Sequence, residues 1–211
     1  MPESNSSPTR AKWNQRLFAY MMNSAPETEE EKSHKKTLIG SLHGDVLEIG
    51  PGTGPNLEYY AKDVRWTGIE PNPAMMPYAQ QEAQRLGMTI QLREGRAEQL
   101  DAADNSLDAV VSTLVLCSVT DPQKVLQEIR RVLKPGGRFV FIEHVAAPAN
   151  TGRRFRQKLI KPLWKPLADG CHPDRETWAT IEQAGFSDVH IDHFQLKVPV
   201  IGPHIAGYAV K

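Results

Sequence analysis

Asp45-Val-Leu-Glu-Ile-Gly-Pro-Gly-Thr-Gly54 is the stretch on which the reading of this chain turns. Its first half, 45–49, is a short apolar run of strand composition, and Gly50, Gly52 and Gly54 follow at alternate positions. An ordinary strand-to-helix turn needs one glycine. Three let the backbone turn tightly and approach a ligand closely, with free N–H groups at the start of the next helix. The loop is therefore read as a nucleotide-type site. Sixteen residues after Gly54, Glu70 ends the next strand-like run, 66–70, where a carboxylate can accept both hydroxyls of a ribose. A solvated strand end would explain Glu70 alone; at this interval from the glycine loop, ribose is the better reading.

Outward from this unit the chain alternates. Residues 89–93, 107–111 and 138–143 read as further short strands, and 55–61, 74–86 and 122–133 carry helix spacing, the last with Asp121 as cap and Pro122 in the first turn. Such alternation predicts an α/β fold, a doubly wound parallel sheet with helices on both faces and right-handed crossovers. Before it, 12–22 places Trp13, Leu17, Phe18 and Met21 at helical spacing, with Gln15 and Arg16 on the expected wet side. Residues 27–39 run from acidic to lysine-rich, favouring a helix that Gly40 stops. After it, 153–165 is basic with Phe155, Leu159, Leu163 and Trp164 interleaved, and Pro162 and Pro166 predict a broken helix. A helix over 175–184 and strands over 189–196 and 205–210 complete the chain. Residues 1–10, rich in Ser, Pro and Asn, are read as a disordered tail and 11–211 as one domain.

The composition narrows the function. With 25 basic against 25 acidic residues among 211, there is no electrostatic case for a nucleic-acid partner. An apolar fraction of 40% suffices for a real core. Cys117, inside an apolar run, and Cys171 are the two cysteines, a pattern that suggests a reducing compartment and no Cys-based zinc site. No run approaches the ~20 apolar residues of a membrane span, and the polar start lacks a signal-peptide core, so a cytoplasmic protein is expected.

Four segments carry a resemblance: Val46-Leu-Glu-Ile-Gly-Pro-Gly-Thr-Gly54, Gly68-Ile-Glu-Pro-Asn72, Asp104-Asn-Ser-Leu-Asp-Ala-Val-Val111 and Leu133-Lys-Pro-Gly-Gly137. Together they resemble the motif set of class I S-adenosylmethionine-dependent methyltransferases over about half of the chain. Thr113-Leu-Val-Leu-Cys-Ser-Val119, Glu143-His-Val-Ala-Ala147, Asp169-Gly-Cys171 and Pro203-His-Ile-Ala-Gly-Tyr-Ala-Val-Lys211 are similar to the methyltransferase-like subgroup whose animal members methylate alkyl thiols. Those animal members carry an N-terminal membrane anchor, which this chain is read as lacking.

The resemblance implies a Rossmann-like, seven-stranded, mostly parallel sheet with an antiparallel last strand. It implies S-adenosylmethionine as cofactor, S-adenosylhomocysteine as product, no metal and a small-molecule acceptor. Gly50, Pro51, Gly52 and Gly54 would lie against the methionine part and ribose, with Glu48 supporting the loop and Asn56 beside it. Glu70 and Pro71 would meet the ribose, Asn72 and Met75 would flank the adenine, and Ala97 and Glu98 would read its amino edge. Arg96 stands where relatives often have aspartate, which leaves Glu98 or a backbone acceptor for the amino group. Thr113 and Leu114 would face the sulfonium end, near Cys117.

Methyl transfer is an in-line displacement, so the enzyme chiefly positions the acceptor and, for a thiol, favours the thiolate. His144, after the fifth strand, is read as either a general base or a packing residue, and Asp169 as a residue that could orient a base. Cys171 is read as a small buried apolar residue, and His204 and Tyr208 as structural. Residues 11–40 and 151–170 are expected to cover the active site. The basic segment 153–165 has three readings: a solvated face, a lid, or a weak peripheral contact with an anionic membrane. Thiols lead as acceptors, ahead of phenol-, quinone- or polyketide-like oxygen and carbon acceptors. A cofactor-binding partner protein without transfer activity is the reading of another class. A nicotinamide-dependent oxidoreductase is a third, but its fingerprint has a longer spacing to the third glycine. The sequence leaves the oligomeric state open.

Overall fold

Alternate side chains of the central strands enter two separate apolar cores. In β1 (Asp45–Ile49) Leu47 and Ile49 face one core and Val46 the other; in β5 (Leu133–His144) Phe139 and Phe141 part from Val140 in the same way. A strand buried on both sides must be covered on both faces, and helices supply the cover. A computed structural model describes residues 8–211 of the chain.

With β2 (Arg65–Glu70), β3 (Gln91–Glu94), β4 (Leu107–Thr113), β6 (Asp188–Gln195) and β7 (Pro203–Val210), the sheet has seven strands in the order β3-β2-β1-β4-β5-β7-β6. The pairs among β1 to β5 are parallel, and β7 runs antiparallel to both β5 and β6, as the family resemblance implies. The order reverses between β1 and β4. Register aligns Ile49 with Ile69 and Ser112, and Thr113 with Ile142, so four carboxyl ends open onto one crevice at the switch point.

One face is covered by α4 (Pro122–Val132) through Val125, Leu126 and Ile129, and by Ile181 of α6 (Thr177–Glu182). The other is covered by α3 (Met76–Leu86) through Ala83, and by Ile39 and Leu42, which follow α2 (Glu29–Leu38). The helix starts obey local chemistry. Thr28 and Glu31 close a capping box on α2, and Asp121 accepts the Lys124 N–H at 3.1 Å on α4.

Several expectations are corrected. The first helix, α1 (Pro8–Asn23), begins inside the expected tail; residues 1–7 lie outside the described part. The helix expected over 55–61 shrinks to a 3-10 turn, Leu57–Tyr59, because Tyr60 is already extended. The helix over 175–184 contracts to α6, and β7 starts at Pro203 rather than at 205. The expected break at Pro162 and Pro166 does not occur: α5 (Gly152–Leu167) is continuous through both. They lie four residues apart on one exposed side, where carbonyls that lose a donor can turn to water.

The outer face of α5 is also not a polar one. Phe155, Leu159, Leu163 and Leu167 are 67%, 69%, 70% and 72% exposed. The helix is docked instead by buried Gln157, whose Oε1 accepts the Ala147 N–H at 2.7 Å and whose Nε2 donates to the Val145 and Val200 carbonyls. On α1, too, Trp13, Leu17, Tyr20 and Met21 point outward while Gln15 turns in. Among the described residues, no helix is long and apolar enough to cross a membrane.

Candidate active site

A cavity of about 440 Å³ opens at the carboxyl ends of β1, β2 and β4. Its floor is organised by Glu48, buried on β1. One carboxylate oxygen accepts from Asn56 Nδ2 at 2.7 Å; the other accepts from the Tyr60 hydroxyl at 2.8 Å and Trp66 Nε1 at 3.0 Å. Burial raises the Glu48 pKa, and these three donors oppose the shift. Asn56 Nδ2 also reaches Thr113 Oγ1 at 3.0 Å, which ties the loop after β1 to the end of β4.

The glycine loop is held by Glu70. Its Oε2 accepts the Gly52 N–H at 2.9 Å and its Oε1 the Asn72 N–H at 2.8 Å, so one side chain fixes both loops at the crevice. Burial raises the Glu70 pKa against these two bonds. Gly52 has φ +59, and a Cβ there would meet nothing within 4 Å except Met75 Sδ at 3.5 Å. Because Gly52 and Met75 both line the cavity, a larger side chain at 52 would extend into ligand space.

Two lining positions carry strained backbone. Leu114, just past β4, has φ 59, and Asp169, just past α5, has φ 45, left-handed conformations that non-glycine residues seldom adopt. Both line the cavity. Glu143 holds the segment after β4 by accepting from Ser112 Oγ at 2.6 Å and from the Val115 and Leu116 N–H groups at 3.1 Å. Asp169 lies at the cavity rim, and burial raises its pKa.

The structure brings together most of the site read from the sequence. Glu48, Gly50, Pro51, Gly52, Asn56, Glu70, Pro71, Asn72, Met75, Ala97, Glu98, Thr113, Leu114 and Asp169 all line the cavity. Gly54 does not; it serves packing, since a Cβ there would lie 2.9 Å from Leu57 and 3.1 Å from Ala79. Arg96 lines the cavity beside Glu98, with Nε 3.6 Å from its Oε2, while Glu98 Oε1 accepts the Thr120 N–H at 3.0 Å. His144 is not in the lining. It is buried against Cys171, whose Sγ lies 3.8 Å from Nδ1 and 3.7 Å from Nε2.

The N-terminal helices contribute lining residues that the sequence reading missed. Gln15, Glu27, Glu31 and Lys35 all reach the cavity, and the Gln15 carbonyl accepts from Asn72 Nδ2 at 3.3 Å. Lys35 is buried, paired with Glu27 and 5.8 Å from the Tyr59 ring centroid. Burial and the hydrogen bond to Glu27 push the Tyr59 hydroxyl far above its usual pKa. A lysine in the basic last turn of a helix reads as solvated, and no sequence signal marks its burial.

A parallel sheet of this order, with a glycine loop after β1 and a buried carboxylate ending β2, defines a nucleoside-cofactor enzyme of the methyltransferase type. Comparison with known proteins agrees. The family described as a methyltransferase domain matches residues 47–141. Thiol S-methyltransferase TMT1B of Rattus norvegicus is 39% identical over 92% of this chain and 86% of its own length. Thiol S-methyltransferase TMT1A of Homo sapiens is 39% identical over 87% of this chain and 80% of its own. In fold, the chain is similar to a SAM-dependent methyltransferase from Aquifex aeolicus, with a TM-score of 0.60 at 20% identity over 97% of this chain and 98% of that one. The chain is an enzyme of the class I S-adenosylmethionine-dependent methyltransferases and belongs to the family of these thiol S-methyltransferases.

Proposed function

We propose that the enzyme transfers the methyl group of S-adenosylmethionine to the sulfur of a small alkyl thiol. One observation carries this reading. The methyltransferase-domain match stops at residue 141, whereas the likeness to thiol S-methyltransferases extends over 92% of the chain and so takes in the segments after β5 that meet the cavity. In this reading the glycine loop holds the methionine part, Glu70 accepts the ribose hydroxyls, and Ala97 and Glu98 read the adenine edge. Asn72 and Met75 flank the base, and Thr113 and Leu114 face the sulfonium. Asp169, at the rim, accepts the acceptor's S–H and aims its sulfur along the methyl–sulfonium axis. His144, outside the cavity lining and buried against Cys171, does not meet the acceptor in this reading.

The displacement forms a sulfur–carbon bond as the carbon–sulfonium bond breaks, giving a thioether and S-adenosylhomocysteine. The chain's contribution is orientation and exclusion of water. The test is release of S-adenosylhomocysteine with a panel of alkyl thiols, phenols and amines. Turnover is expected with thiols; turnover confined to phenols or amines would replace this reading with the oxygen, carbon or nitrogen alternative.

A second proposal concerns α5. Its outward stripe of Phe155, Leu159, Leu163 and Leu167 is flanked by Arg153, Arg156, Lys158 and Lys165, and the helix carries no acidic residue. An apolar stripe with a basic border fits the interface of an anionic lipid surface, where a lipophilic thiol would also concentrate.

A further inference from the structure

Three buried side chains from distant parts of the chain converge behind the cavity wall. Cys117, His144 and Cys171 are 2%, 3% and 8% exposed, and their Sγ and ring nitrogen atoms lie within 4.8 Å of one another. Each stands one or two residues from a residue of the cavity lining: Ser118, Ile142 and Asp169 respectively. The scaffold around them is fixed. The His172 N–H donates to the Cys117 carbonyl at 2.9 Å, and Arg175 Nη1 donates to the Val119 carbonyl at 2.9 Å and to the Leu116 carbonyl, clamping the loop that carries Cys117.

The polar partners of this group are incomplete. Both nitrogens of His144 have the same sulfur as partner, at 3.7 and 3.8 Å. A sulfur equidistant from Nδ1 and Nε2 lies on the lone-pair axis of neither, so a buried imidazole is left without a well-aimed bond. Meanwhile Trp164 Nε1 donates to Cys171 Sγ at 3.3 Å. Two soft sulfurs and an imidazole are the donor set that zinc and its chemical relatives prefer.

We propose that Cys117, His144 and Cys171 form a three-ligand site for a thiophilic d10 cation of the Zn²⁺ type, set behind the cavity wall. Tetrahedral zinc with bonds of ~2.3 Å to sulfur and ~2.0–2.1 Å to nitrogen needs its donors below about 4 Å apart, a small contraction of the present group.

The test uses the full chain, purified reduced. Zn²⁺ affinity is measured against a chromophoric chelator, and Co²⁺ is substituted to read thiolate-to-cobalt charge transfer. One tightly bound equivalent is expected. Cys117→Ser and Cys171→Ser should each weaken Zn²⁺ binding about 100-fold or more and remove charge-transfer intensity, while S-adenosylhomocysteine affinity, as the folding control, stays within about twofold. His144→Ala should weaken binding with the thiolate bands retained. No metal binding by the reduced protein, equal binding by the variants, or a Cys117–Cys171 disulfide in its place would overturn the site.

Discussion

Replacing Glu70 by Gln separates what this residue does for the cofactor from what it does for the fold. Its two carboxylate oxygens each accept one backbone N–H, from Gly52 and Asn72. Burial raises its pKa, so the folded chain holds the proton more tightly than the unfolded one. The ionised group therefore costs stability above its unfolded pKa, a cost that fades as pH falls through the folded value. Glutamine removes that cost but keeps an acceptor for only one of the two N–H groups, and a buried N–H left unpaired costs ~1–3 kcal/mol. The terms oppose, and the net change in stability should stay within about 2 kcal/mol. Cofactor binding has no such offset. Losing charge-assisted bonds of ~1.5–3 kcal/mol to the ribose predicts roughly ten- to hundredfold weaker binding of S-adenosylhomocysteine by calorimetry. The unmodified protein should also bind less tightly as acid protonates Glu70, a pH dependence the Gln variant should lack. Unchanged affinity in E70Q, or an affinity loss matched by an equal loss of melting free energy, would refute the reasoning.

Gly52→Val should abolish cofactor binding by entering ligand space, and its φ of +59 adds backbone strain that lowers the melting temperature; calorimetry on protein that circular dichroism shows to be folded checks it. If Asp169 holds the acceptor as proposed, Asp169→Asn should raise KM for an alkyl thiol about tenfold while cofactor affinity holds; steady-state kinetics with equal KM would remove it from the site. The chain should sediment with vesicles containing anionic phospholipid. Leu159→Glu with Leu163→Glu should cut binding by more than about 100-fold, since each buried side chain contributes ~1.5–3 kcal/mol; equal sedimentation of both proteins would dismiss the lipid face.

The cofactor half was legible because its signals are local. Gly50, Gly52 and Glu70 lie close together in sequence, and the register between β1 and β2 carries that proximity into space. The buried group behind the cavity wall was not, because it depends on which distant segments the sheet order brings together. Cys117, His144 and Cys171 are read singly as a cysteine inside an apolar run, a base or packing histidine and a small core residue, and only the β4–β5 pairing and the return of the chain after α5 unite them. The periodicity of Phe155, Leu159 and Leu163 reveals a stripe on α5 but not its direction. That is set by Gln157, a polar residue buried through three hydrogen bonds. Likewise Lys35 reads as solvated by type, and its burial follows from Glu27 and Tyr59 closing over it.

The central claim, thiol methylation at this cavity, is tested most directly with S-adenosylmethionine carrying a trideuteromethyl group, incubated with an alkyl thiol and a phenol in competition. Mass spectrometry should find the label on the thioether sulfur, equimolar with S-adenosylhomocysteine, and E70Q at subsaturating cofactor should lower both together. Label on the phenol with none on the thiol, or S-adenosylhomocysteine formed without any labelled thioether, would contradict it.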